Sequence, residues 1–127
     1  MESKYHFRFE DLQIYQQSIV FGELVNTLVK KFPREERFEL TSQFKRASDS
    51  IALNIVEGSS GTDRQFYNYL GNAWHSAEEC VACSTKARLR NYINYEEDEE
   101  VRGYITSLSK MITSLRSKIS ERINTKK

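Results

Sequence analysis

Ser50, Asn54 and Glu57 lie in the stretch SDSIALNIVEGSSG, among Ile51, Leu53, Ile55 and Val56. A hydroxyl, an amide and a carboxylate at near-helical spacing could form an acid–base cluster, a ligand site, or polar contacts between packed helices. On a wheel of about 100° per residue they join Gln43 and Arg46 in an arc of roughly 80°. Leu40, Phe44, Ala47, Ile51 and Ile55 form an apolar face on one side of this arc, and Leu53 and Val56 lie on the other. A merely solvated face would not need apolar residues on both flanks. Catalysis would ask for a nucleophile beside a base, or a carboxylate of raised pKa. The two histidines, His6 and His75, are widely separated, and no nucleophile–base pair is visible, so no catalytic residue is assigned.

Cys80 and Cys83 have the C-x-x-C spacing. Zinc needs about four ligands, and no second pair is present. A redox site of this type sits at a helix start after a strand, whereas this pair falls in mid-helix. His75, Glu79 and Cys83 share a line at steps of four, but buried thiols fit a reducing compartment better than a loose metal site. No metal or cofactor is therefore expected. GSSGTD, residues 58–63, lacks the phosphate-loop pattern and follows a helix, so it reads as a connector. Phe66, Tyr67, Tyr69 and Trp74 could stack on bases, yet their helical spacing fits core or subunit interface better.

Four helical segments must position these residues, over about 10–31, 37–57, 63–91 and 96–122. In the first, Leu12, Ile19, Val20, Leu24, Leu28 and Phe32 recur at steps near three and four. Pro33 ends it, because the residue before a proline disfavours helical geometry. The second is expected to stop at Gly58, taken as a left-handed helix end. Thr62 and Gln65 have capping-box spacing and open the third; Asn94 and Glu97 repeat it for the fourth. The third carries Phe66, Leu70, Ala73, Ala77, Cys80 and Leu89 on related faces. In the fourth, Val101, Ile105, Leu108, Ile112, Leu115 and Ile119 keep a 4-3-4-3-4 spacing, the seam of a bundle helix. The expected fold is an all-α, antiparallel, up-down-up-down four-helix bundle forming a single domain over residues 1–127.

Composition agrees: the chain has one Pro, five Gly, 39% hydrophobic and 29% charged residues. No apolar run approaches the roughly 18 residues of a membrane span, and the opening MESKYHFRFEDL has no apolar signal core. A cytoplasmic protein without membrane association is expected. Net charge is only +1, but Val101–Lys127 holds seven bases against one acid, just after the five acids of Glu96–Glu100. Helix polarity accounts for this asymmetry, since acids favour helix N-termini and bases C-termini. Contact of Arg102, Lys110, Arg116, Lys118 and Arg122 with nucleic acid is the alternative.

If the second and third helices are antiparallel neighbours, Arg46 faces Glu79. Asn54 then faces Asn72 and reaches Ser76, and Glu57 lies near Asn68. A covered stripe would make such pairings nearly compulsory, because a lone buried charge costs several kcal/mol. Gln43, Arg46, Ser50, Asn54, Glu57, Ser76 and Glu79 are thus expected to form a polar seam, within the chain, between subunits, or toward a ligand.

FEDLQIYQQS, KFPREERFELTSQFKRA, SIALNIVEG and SAEE resemble, in order, a family of bacterial four-helix-bundle proteins. Some of its members are encoded in intervening sequences of 23S ribosomal RNA genes. The most specific run is Gln43, Arg46, Ala47, Ser50, Ile51, Asn54, Ile55, Glu57 and Gly58. Phe9, Leu12, Phe32, Pro33 and Glu36 match the opening pattern, and Ser76 and Glu79 the third helix. Tyr15 stands where the family often has Trp, Ala52 where it often has Pro, and Arg90-Asn91 where it often has Leu-Gly. The resemblance implies a ring-like homo-oligomer, a pentamer, and no established enzymatic activity. A distantly similar, more basic group serves reverse transcriptases as nucleic-acid-binding accessory subunits. The reading is a non-catalytic scaffold or adaptor that associates with itself. Its alternative is a nucleic-acid-binding accessory protein, associated with ribosomal RNA or a reverse transcriptase, that uses the basic fourth helix.

Overall fold

The computed structural model describes residues 2–125. Four α-helices run in sequence: α1 Gln13–Val29, α2 Leu40–Ser59, α3 Asp63–Leu89 and α4 Tyr95–Thr125. Short 3-10 turns at Arg8–Asp11 and Arg34–Glu36 precede α1 and α2. Helix α3 packs against both α2 and α4, and α1 closes the bundle against α2 and α4. The arrangement is the expected all-α four-helix bundle.

Local chemistry sets the boundaries. Thr62 Oγ1 accepts the Gln65 amide at 3.1 Å, and the Gln65 side chain accepts the Thr62 amide at 2.8 Å. Asn94 and Glu97 exchange the same pair of bonds, at 2.8 and 2.9 Å. Each reciprocal pair satisfies two amide donors that an α-helix start leaves without partners. Pro33 is extended at φ −65° and ψ 153° and ends the first segment. Helix α2 begins at Leu40 rather than near Arg37, because Glu39 leaves helical geometry at φ −119° and ψ −105°.

Two helix ends trade the expected roles. Gly58 is not a left-handed stop: α2 passes through it to Ser59, and no described glycine has positive φ. It is instead a contact position. A Cβ on Gly58 would lie 2.7 Å from Tyr69 Cβ and 3.3 Å from Phe66 Cα, so only a bare backbone lets α2 and α3 meet here. The left-handed residue is Asn91, at φ 64°. The Tyr92 amide reaches back to Ala87 O at 2.9 Å and the Asn91 amide to Arg88 O at 3.0 Å, closing α3 in a Schellman motif. Asn tolerates this conformation better than most side chains, so Asn91 does the work of a glycine.

The core lies between the four helices. Phe21 and Val25 of α1 meet Phe44, Ile51 and Ile55 of α2, Leu70 of α3, and Val101, Leu108, Ile112 and Ile119 of α4. Helix α3 contributes small buried groups, Ala73, Ala77, Cys80, Cys83, Ser84 and Ala87, which let its neighbours approach closely. The seam of α4 is buried as its spacing predicts, with Leu115 partly so. The expected face of α1 is rotated. Its core side chains are Ile14, Ser18, Phe21, Val25, Leu28 and Val29, leaving Ile19 and Val20 44% and 50% exposed. Ser18 can take a core position because its hydroxyl donates to Ile14 O at 2.7 Å. On α3, Leu89 likewise faces solvent while Ala87 is buried.

The glycines give opposite expectations. Gly58→Ala should destabilise the fold by about 1–3 kcal/mol through overpacking. Gly103→Ala, with open space around it, should stabilise the fold by about 0.5–1 kcal/mol through helix propensity. Urea unfolding of both variants reads the two signs.

Candidate functional site

Ser50, Asn54 and Ser76 meet between α2 and α3, each half-buried. Ser76 donates its hydroxyl hydrogen to Ser50 Oγ at 2.9 Å, the bond that crosses from α3 to α2. Asn54 does not reach across. Its amide donates within α2, to Ser50 O at 2.7 Å and Ser50 Oγ at 3.0 Å. Asn72 and Asn68, its and Glu57's expected partners, stay exposed. Arg46 and Glu79 are exposed too; both line a shallow polar depression with half-buried Gln43, but among the described residues they form no ion pair. Glu57 is also exposed. The register brings the stripe together, yet much of it remains open because its long charged members extend into water. That exposure removes the desolvation cost that would have forced them to pair.

The five cations considered for nucleic acid divide in two. Arg102 donates to Asp98 at 3.0 Å and to Thr85 Oγ1 at 2.6 Å. Arg116 lies over the Tyr67 ring, 4.0 Å from its centroid, and donates to Tyr67 O at 3.2 Å. Arg122 makes a forked contact to both carboxylate oxygens of Asp63 at 3.0 and 3.3 Å. These three arginines tie α4 to α3. Lys110 and Lys118 are exposed.

Two buried carboxylates hold the loop end of the bundle. Asp98, 2% exposed, accepts from Ser84 at 2.7 Å and from Arg88 and Arg102 at 3.0 Å each. Burial pushes its pKa up, but the Ser84 and Arg102 hydrogen bonds and the Arg102 and Arg88 charges more than offset this, leaving it below the ordinary carboxylate value. Glu36, 7% exposed, joins the α1–α2 turn to the α3–α4 turn: Tyr92 donates to it at 2.7 Å and Arg90 at 2.8 Å. The Tyr92 hydrogen bond chiefly lowers its pKa, with the Leu40 amide and Arg90 assisting against burial. Lys31 pairs with Glu97 beside them. By sequence alone the acids of 96–100 are complements to the helix dipole. Asp98 carried a further signal, since it lies three residues before Val101 and so extends the apolar seam by one step.

Cys80 and Cys83 are free, fully buried thiols. Burial pushes Cys80 far above the ordinary thiol value and Cys83 up to about 11, so both stay protonated at neutral pH. His75 and Glu79 face solvent while Cys83 points into the core. Among the described residues no group of three or more His, Cys, Asp or Glu could hold a metal ion.

Residues 10–114 match the model of the 23S rRNA-intervening sequence protein family. The chain belongs to this family. A solved structure from Bacteroides thetaiotaomicron VPI-5482, a protein of unknown function from the S23 ribosomal protein family, has a similar fold. It superposes with a TM-score of 0.75 at 25% identity, over 81% of this chain and 97% of that one. No curated protein matches the chain. Family membership accounts for the order of the opening, second-helix and third-helix patterns; it assigns no activity to the polar stripe.

Because Asp98 and Glu36 have lowered folded pKa values, their stabilisation is fully present above the unfolded values of about 3.9 and 4.3. It should be lost as pH falls below about 4 and through the folded values, seen as an acid-side drop in Tm. Asp98→Ala should cost about 2 kcal/mol at pH 7 by stranding Ser84 and two arginines. The same variant should flatten the acid-side drop, measured by thermal melts between pH 2 and pH 7.

Proposed function

We propose that this protein is a non-catalytic, cytoplasmic scaffold that works as a homo-oligomer. The observation that carries this reading is an apolar groove of about 500 Å³ between α1 and α2. Ile19 and Leu53 form its lips at 44% and 62% exposure. Large apolar side chains grouped on neighbouring helices mark interaction surfaces more often than isolated ones do. Leu53 also borders the polar stripe, so one docked subunit would cover the groove and reach Ser50, Asn54 and Glu57. The stripe then acts as a polar seam that fixes how subunits dock. Resemblance to the family supports a pentamer as the assembled state.

The groups best suited to chemistry support a structural role. The thiols are protonated at neutral pH, and Asp98 and Glu36 are held ionised by cations and hydroxyls. A general base needs a pKa near the working pH, and these environments push the carboxylates away from it. No described helix is long and apolar enough to cross a membrane. Binding of RNA through α4 is the alternative, resting on the exposed Lys110 and Lys118. Two phosphate contacts would give a logarithmic salt slope of only about −1.4 to −1.8.

Sedimentation at tens of micromolar should show an oligomer. Leu53→Asp should shift it to monomer while the helical circular dichroism is kept. A wild-type monomer at these concentrations overturns the scaffold reading. A salt-dependent mobility shift with structured RNA, removed by Lys110→Glu with Lys118→Glu, would favour the alternative.

A further inference from the structure

We infer that the α1–α2 groove of one copy receives the Lys110–Lys118 strip of α4 from a second copy. This rests on the self-association reading and assigns the two surfaces that meet. The floor of the groove is made of small residues, Gly22, Ala52, Ser18 and Ser48. Both serine hydroxyls already donate to their own helix backbone, Ser18 to Ile14 O and Ser48 to Lys45 O. The floor therefore leaves no unmet donor under an apolar occupant. Its rim carries two acids, Glu23 and Asp49, and one base, Lys45. Asp49 Oδ1 lies 4.0 Å from the place a Cβ on Gly22 would occupy, so a carboxylate stands at the groove mouth. Neither acid is engaged in an ion pair among the described residues.

The same chain carries a strip of matching character. Lys110, Met111, Ser114, Leu115 and Lys118 lie along one side of α4, where it meets the start of α1. Met111 and Leu115 are partly buried, and the lysines stand exposed at either end. Eight residues of helix separate the lysines by about 12 Å. Within α4 the one acid within a helical turn of either lysine is Glu121, three residues after Lys118, and neither lysine is engaged in an ion pair among the described residues. The exposed lysines match the carboxylates of the groove rim in sign of charge, and the apolar centre between them suits a floor of small residues. Anionic partners such as nucleic acid or an acidic membrane would meet repulsion from Glu23 and Asp49.

Groove and strip occupy different faces of the bundle, so the contact is head-to-tail and not self-complementary. Repeated around an axis, such contacts close into a ring if the rotation allows. The assembly would be held by the apolar contact and oriented by the charges.

Charge exchange tests the assignment. Lys110→Glu with Lys118→Glu, or Glu23→Lys with Asp49→Lys, should each weaken self-association by about tenfold or more at low salt. The chain carrying all four substitutions should recover it, because both surfaces are reversed together. All substituted positions are exposed, and circular dichroism confirms that each variant folds. Equal mixing of the two double variants gives a second measurement: each is weak alone, and together they should co-assemble. If wild type assembles but the lysine reversal leaves association unchanged, the α4 assignment is overturned while the scaffold reading stands. Failure of both the fourfold variant and the mixture to recover assembly also overturns it. A monomeric wild type removes the scaffold reading and this inference with it.

Discussion

Helices α2 and α3 meet at Gly58 more closely than a side chain would permit, with Tyr69 and Phe66 of α3 filling the place of its missing Cβ. Much of the architecture follows from this approach. It holds the two helices antiparallel across the short turn at Ser60–Gly61, and α3 continues it with Ala73, Ala77 and Cys80 on its buried side. Small groups allow backbones to draw near, so dispersion contacts are made by the helices themselves as well as by long side chains. The same closeness strips water from Cys80 and Cys83 and leaves their thiols inert. It also brings Ser76 within hydrogen-bond reach of Ser50, the polar link that pins the height of one helix against the other.

The opposite end of the bundle is secured by different physics. There the joins are longer, and two buried carboxylates are set among the apolar side chains of Phe32, Leu40, Phe44 and Ile93. Asp98 and Glu36 are buried because cations and hydroxyls surround them, and each bridges elements distant in sequence. A buried carboxylate is costly alone and becomes tolerable only when its lone pairs are met by donors. Each of these networks therefore specifies an arrangement: removing one partner strands the others. Arg102, Arg116 and Arg122 extend this stapling along α4, and their positive charge is spent within the fold.

Once those residues are engaged internally, the remaining surface divides clearly. One side shows an apolar groove with acidic rims, another a lysine-bounded strip, and between α2 and α3 runs a polar stripe. All three belong to a chain whose family carries no assigned reaction. On the proposed reading their chemistry is that of recognition: complementary charge, modest apolar contact, and polar side chains that penalise a wrong register. Protein association of this kind needs no reactive group, which agrees with burial keeping the thiols protonated and with hydrogen bonds and cations lowering the two carboxylates.

Sequence alone determined the helices, the capping pairs Thr62–Gln65 and Asn94–Glu97, and the buried seam of α4. These depend on interactions within a few residues, or on a hydrophobic period that is unambiguous over many turns. The polar stripe was also visible, because Gln43, Arg46, Ser50, Asn54 and Glu57 share one arc of one helix. Tertiary structure decided what those residues meet. Asn54 bonds within its own helix, and Arg46 and Glu79 remain in water, because side-chain reach and exposure depend on the distance between helices. It rotated α1 so that Ser18 is buried and Ile19 exposed, since a hydroxyl satisfied by its own backbone can occupy the core. It exchanged the roles of Gly58 and Asn91, because a glycine needed for closeness and one needed for a left-handed turn look alike in a one-dimensional string. Only the neighbouring helix distinguishes them.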